Sequence, residues 1–196
     1  MQKLKIMKRL RLYSEIITAI IFTLSTLRAS AQPPVKVVAG LIYMNDGTLT
    51  PNQKMYPKLT DSLDNNLKKN NKDTISLFYR ALLYLRYNSG LAKPYQLSKG
   101  AMENLEVAKN MVERADSLKM QALNLKILRA EIYRELCYRF TGDESWQLNG
   151  KQIAVRKTRF NGYKDLANKY YDELAQLDKR NAYAYLKLTI NYKYPL

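Results

Sequence analysis

The sequence predicts an all-α protein built from stacked antiparallel helical hairpins. Apolar residues recur every three or four positions through most of the chain from residue 50 to the C-terminus, which is the spacing of one face of an α-helix. Turns rich in Asn, Asp, Lys and Gly separate these stretches. The only cysteine, Cys137, has no intramolecular partner for a disulfide, so we expect packing between helices to provide the stability.

Residues 1–31 have the three parts of an export signal. A basic leader precedes an apolar run, Ile16–Leu27, and small residues occupy the two positions that a signal peptidase reads, Ala29 and Ala31. The run spans about 18 Å as a helix, against roughly 30 Å for the hydrocarbon core of a bilayer, which favours a cleaved signal over a membrane anchor. We expect a mature, periplasmic or secreted protein that begins at Gln32 and has no stable membrane anchor.

Composition narrows the classes of function. Without residues 1–31 the chain contains 27 Lys and Arg and 16 Asp and Glu, which gives a net charge of +11. This charge makes an anionic glycan or envelope polymer a candidate partner, although a solvated, lysine-rich surface gives the same count. Histidine is absent, which excludes Ser-His-Asp and Cys-His nucleophiles and His-ligated metals. We predict no catalytic, cofactor or metal site.

The mature chain is expected to form one helical domain over residues 50–196. The segment 32–49 before it is predicted to be extended or poorly ordered, because Pro33 and Pro34 restrict the backbone. Within it, Val35–Met44 is apolar enough for a short strand or a first helix, and periodicity does not separate the two.

Six helices are expected in this domain. The first begins near Thr50 or at Pro57, the second follows the N-cap Asp73, and the third follows Ser98. The second is expected to stop at Asn88-Ser89-Gly90. The remaining three are expected over residues 120–140, 160–177 and from 182 toward 192.

One segment between the fourth and fifth helices has strand character. Asn149-Gly150 is a favoured two-residue turn, and a β-hairpin over residues 145–155 would place Trp146 opposite Ile153. The alternative is a loop whose tryptophan covers the helical core.

Two junctions between helices resemble each other. In residues 67–85 and 174–188 a helix ends in an apolar residue, a polar turn follows, and the next helix opens eight residues later at Ile75 or Ala182. This resembles the boundary between successive tetratricopeptide repeats. The resemblance implies stacked two-helix units that share a core and a role in protein interaction. The 34-residue period and the Trp, Gly and Pro positions of that family are mostly missing.

Tyrosines that neighbour basic residues are the candidate binding residues, because aromatic rings and cations together bind sugars and acidic groups. The candidate surface consists of Tyr79, Arg80, Tyr133, Arg134, Tyr138, Arg139 and the only tryptophan, Trp146. Tyrosine at the rim of a helical core is the competing interpretation.

Two further features have ordinary structural interpretations. Glu131 and Glu135 lie four residues apart and are expected to make surface pairs with neighbours such as Arg134 and Lys126. Cys137 is expected to be a small buried hydrophobe. The sequence therefore favours an exported, non-enzymatic protein-interaction or scaffolding protein, and the alternative is a module that binds an anionic glycan or polymer.

Overall fold

The computed structural model describes residues 34–45, 56–91, 99–141 and 147–195. The predicted signal peptide and Trp146 lie outside these ranges. Within them, two strands precede six helices, and a 3₁₀ turn, Lys179–Asn181, separates the last two helices. The elements are β1 (Val35–Val38), β2 (Leu41–Met44), α1 (Tyr56–Lys69), α2 (Thr74–Leu91), α3 (Lys99–Ser117), α4 (Leu123–Tyr138), α5 (Gly150–Leu177) and α6 (Ala182–Leu186). The predicted fold class, all-α with packed helical pairs, is confirmed, and the small β-hairpin lies at residues 35–44.

Local capping explains the first helical hairpin. The Asp73 carboxylate accepts hydrogen bonds from the backbone N–H of Ile75 and Ser76 at 3.1 and 3.3 Å, so Asp73 is the N-cap that the sequence predicts for α2. The side chain of Arg80 in α2 reaches back to Asp64 in α1 at 2.8 Å. Contrary to expectation, α2 continues through Asn88-Ser89-Gly90 and ends at Leu91.

Helix α4 lies at the centre of the core. It packs against α3 and α5 and also contacts β2 and α2. Most of its aliphatic side chains are fully buried, including Leu125, Leu128 and Leu136. On the side facing α3, Arg129 binds Glu113 and Asp116. A helix with neighbours on this many sides is buried over much of its surface, which explains why its charged residues also take part in internal contacts.

The strand interpretation of Val35–Met44 is the correct one. Val35–Val38 pairs antiparallel with Leu41–Met44, and the turn residues Ala39 and Gly40 have φ of 50° and 79°, as a type I′ turn requires. A Cβ on Gly40 would lie 2.9 Å from Leu188 Cδ1, so glycine also permits close approach to the C-terminal region. The hairpin belongs to the same compact unit as the helices, Val35–Leu196.

The β-hairpin predicted near residues 145–155 is wrong over the part of it that the structure describes. Helix α5 begins at Gly150, ten residues before the predicted start, because Asn149 is its N-cap rather than a turn residue. The Asn149 side chain accepts from the N–H of Gln152, and the Gln152 side chain accepts from the N–H of Asn149, both at 2.9 Å. This reciprocal capping box fixes the helix start.

The last predicted helix is shorter than expected. Helix α6 ends at Leu186, and the following residues are not helical. The C-terminal segment 190–195, which we call the strap, runs instead along α5. No helix in the described part of the chain has the length and apolar character needed to span a bilayer.

Candidate binding surface

The predicted binding residues do not share one exposed face. Arg80, Tyr133 and Arg139 are buried, and Arg139 is only 1% exposed. Tyr79 and Arg134 are half-buried. Only Tyr138 is exposed, with 48% of its surface accessible to solvent, while Trp146 lies outside the described residues.

The buried arginines make ion pairs inside the molecule. Arg80 binds Asp64 and lies 4.1 Å from the centre of the Tyr84 ring. Arg139 pairs with Glu135, four residues earlier on α4. A guanidinium suits such positions because it forms bidentate hydrogen bonds and stacks on aromatic faces. These two cations are therefore used inside the molecule.

The strap is fixed to α5 by hydrogen bonds with side chains of the helix, two of them at the backbone N–H and carbonyl of one strap residue. The Asn168 side-chain oxygen accepts from the N–H of Ile190 at 2.7 Å, and its nitrogen donates to the carbonyl of Ile190 at 3.1 Å. Lys164 donates to the carbonyl of Tyr192 at 2.8 Å, and Arg156 donates to the hydroxyl of Tyr194 at 3.2 Å. The strap thus has a defined path along the helix.

A surface rich in tyrosine forms where the strap passes α4. Tyr192 is 43% exposed, and burial raises its pKa, with smaller electrostatic effects of Cys137, Arg134, Glu135 and Tyr138. The centre of the Tyr192 ring lies 5.8 Å from that of the Phe160 ring, and the carbonyl oxygen of Phe160 contacts Cys137 of α4. Tyr192 therefore lies on the side of α4 that carries Cys137, between Arg134 and Tyr138 in sequence. We call Arg134, Tyr138 and Tyr192 the tyrosine surface.

The first half of α5, with the three residues before it, forms a second candidate surface. Residues 147–164, which we call the basic arm, contain Lys151, Arg156, Lys157, Arg159 and Lys164 but no acidic residue. Lys151, Lys157 and Arg159 are exposed. The sequence interpretation missed this segment because it considered only the net charge of the whole mature chain, whereas a local count of acids and bases would have found it.

A buried ion pair attaches the β-hairpin to the helices. Glu131 is 5% exposed and binds Arg86 of α2 at 2.7 Å. Its carboxylate accepts from the N–H of Ile42 at 3.1 Å, and Arg86 donates to the carbonyl of Ile42. The expectation that Glu131 makes a surface pair with Arg134 or Lys126 is therefore wrong. Burial raises the pKa of Glu131 even though Arg86 opposes this effect.

Cys137 is a buried side chain, as predicted. It is fully enclosed, and its sulfur lies 3.8 Å from the carbonyl oxygen of Phe160. Burial raises its pKa to about 12, so the thiol stays protonated at neutral pH and is a poor nucleophile.

The described ranges contain no candidate metal site, because no three Cys, Asp or Glu side chains there are placed to hold an ion together.

Comparisons with protein-family models, with curated proteins and with solved structures find no match to this chain. Functional inference therefore depends on the tyrosine surface and the basic arm.

Proposed function

We propose that this chain is an exported, non-enzymatic protein-interaction or scaffolding protein, and that the tyrosine surface contacts the partner. The observation that carries the proposal is the exposure of Tyr138 and Tyr192 where the strap packs on Phe160, next to Cys137 of α4. Tyrosine and arginine are enriched among the residues that dominate binding energy at protein interfaces, because they bury a large area and keep a polar end.

The helical hairpins support a degenerate tetratricopeptide-like architecture. Each helix packs against the next one along the chain, most extensively α2 against α3 and α4 against α5. Taken in order, the helices form the pairs α1–α2, α3–α4 and α5–α6. The first helices of these pairs begin at residues 56, 99 and 150, so the spacing is 43 and then 51 residues rather than the family's 34. A scaffold of this kind offers exposed helix faces to partners.

The interaction is tested by cross-linking in envelope extracts. We expect the Tyr138→Ala/Tyr192→Ala double variant to lose a cross-linked partner that the wild-type protein captures reproducibly. Tyr183→Ala is the matched control, because Tyr183 is 70% exposed but lies on α6. Equal capture by the double variant and the control would contradict the proposal. Export has its own test: mass spectrometry of the envelope protein should show a chain that begins at Gln32.

A second candidate function is binding of an anionic glycan or envelope polymer. The basic arm favours it, because that segment has five cations and no acidic residue. Of these cations, Arg159 pairs with Glu106 of α3, whereas Lys151 and Lys157 are exposed. Retention on a polyanionic resin at low salt, lost as salt is added, is the expected behaviour. A protein that passes through the resin at low salt would remove this candidate.

A further inference from the structure

The charge order along α5 is the reverse of the order that stabilises a helix. Residues 147–164 carry five basic and no acidic residues, whereas residues 165–178 carry four acidic residues and one basic residue. The first turn of α5 has no acid and its last turn no base. Because the helix dipole favours acids near the N-terminus and bases near the C-terminus, helix stability does not account for this arrangement.

The positive character of the basic arm comes from its side chains rather than from the helix N-terminus. Asn149 and Gln152 form the capping box, so the Asn149 side chain already binds the N–H of Gln152. The charges of the arm extend from Lys151 to Lys164, about 20 Å along the helix axis. Cations spread over this length suit a linear ligand that carries a negative charge on many of its units.

The cations occupy two opposite flanks of the helix. At 100° per residue, Lys151 and Arg159 lie on one flank, and Lys157 and Lys164 lie on the other. A flat protein or membrane surface would contact mainly one flank, whereas a flexible polymer reaches both. Val155, which is 55% exposed, lies between Lys151 and Arg159 and offers an apolar contact for a sugar ring.

We propose that the basic arm binds an acidic polysaccharide, with Lys151 and Lys157 contacting its anionic groups, while Arg159 pairs with Glu106 of α3. The choice of a polysaccharide among flexible polyanions rests on the proposed export, because an exported protein meets envelope and extracellular polymers. The proposal deepens the second candidate function by assigning it a site and a ligand class.

The site is tested with the purified full chain and fluorescein-labelled heparin, a polysaccharide with sulfate and carboxylate groups. We expect Lys151→Gln/Lys157→Gln to weaken binding roughly tenfold at low salt, and added salt to reduce the difference. The control Lys68→Gln/Lys69→Gln removes the same charge from the exposed end of α1 and should weaken binding by less than about twofold. Equal weakening by the two variants, or no binding by the wild-type protein, overturns the proposal.

The ligand class is tested with two further probes of similar charge, single-stranded oligothymidine and polyglutamate. Heparin should bind more tightly than either, and a probe that binds as tightly as heparin overturns the assignment to polysaccharide. The outcome is independent of the protein partner, because these titrations contain none. Failure of export would appear separately, as envelope or culture fractions that lack a chain beginning at Gln32.

Discussion

The β-hairpin and the strap are each attached to the helices through the backbone of one isoleucine, but by side chains of different charge. In each case helix side chains bind both the N–H and the carbonyl of one isoleucine. At Ile42 the contact uses two charges, Glu131 and Arg86, whereas at Ile190 the neutral amide of Asn168 makes both hydrogen bonds. We call these the charged clamp and the amide clamp.

The two clamps differ in what remains buried when one of their residues is removed. The charged clamp joins β2, α2 and α4 at a single buried point, but each of its charges is tolerated there only while the other is present. The amide clamp joins only α5 and the strap, and its loss leaves no buried charge. The two clamps should therefore respond differently to mutation and to pH.

The largest expected effect comes from breaking the charged clamp. Glu131→Ala leaves the Arg86 cation and the N–H of Ile42 without this carboxylate, and we expect the free energy of unfolding to fall by about 3–5 kcal/mol. Urea denaturation measures the loss. Glu103→Ala on α3 is the control, because Glu103 is exposed, and it should change stability by less than about 0.5 kcal/mol. Similar losses in the two variants would show that the clamp has no special role.

Breaking the amide clamp should cost less. Asn168→Ala removes two hydrogen bonds to the backbone of Ile190, a residue only 2% exposed, and we expect a loss of about 2 kcal/mol. Hydrogen exchange should show faster exchange of the Ile190 amide. The control Asn161→Ala changes an exposed residue of the same helix and should leave that amide protected. Unchanged protection in Asn168→Ala would contradict the described path of the strap.

The capping box at Asn149 should contribute less to the free energy of unfolding than either clamp. Asn149→Ala should lower the free energy of unfolding by about 1 kcal/mol, because the N–H of Gln152 loses its acceptor. Asn149→Asp keeps an acceptor there and should be nearly neutral. If thermal unfolding shows equal destabilisation by both variants, the cap does not stabilise α5.

The two clamps should also differ in pH dependence. Since burial raises the folded-state pKa of Glu131, the folded protein binds this proton more tightly than the unfolded chain, and stability falls as pH rises through the interval between the two pKa values. The fall should be absent in Glu131→Gln, whereas Asn168→Ala should retain it because no titrating group is lost. Denaturation midpoints over a pH series decide this, and parallel profiles for wild type and Glu131→Gln would contradict it.

The parts of the fold that were predictable are those with local signals. Apolar periodicity gave the helices, and Asp73 gave the start of α2. The start of α5 was missed because Asn149-Gly150 also fits a turn, although Gln152, three residues after Asn149, completes a capping-box spacing that favours a helix. In that segment a turn signal competed with a helix signal, and the helix signal was the correct one.

The remaining differences arise from contacts distant in sequence. The β-hairpin is held by Arg86 and Glu131, which lie 44 and 89 residues from Ile42, so no local pattern distinguishes its strands from a helix. The same applies to the strap, whose partner Asn168 precedes Ile190 by 22 residues. Two of the predicted binding residues, Arg134 and Tyr138, contribute to the tyrosine surface. Tyr192 was not predicted there, because it reaches this surface only when the strap folds back along α5.

Burial of a cation in the described ranges depends on residue type. The buried ones are arginines, Arg80 and Arg139, and no lysine there is buried. Amine-selective acylation should therefore neutralise the lysine charges of the native protein while sparing the exposed arginines Arg114, Arg159 and Arg180 and the guanidinium contacts inside the molecule. Such chemically treated material would separate the electrostatic behaviour of the protein from the integrity of its core without any change in its gene.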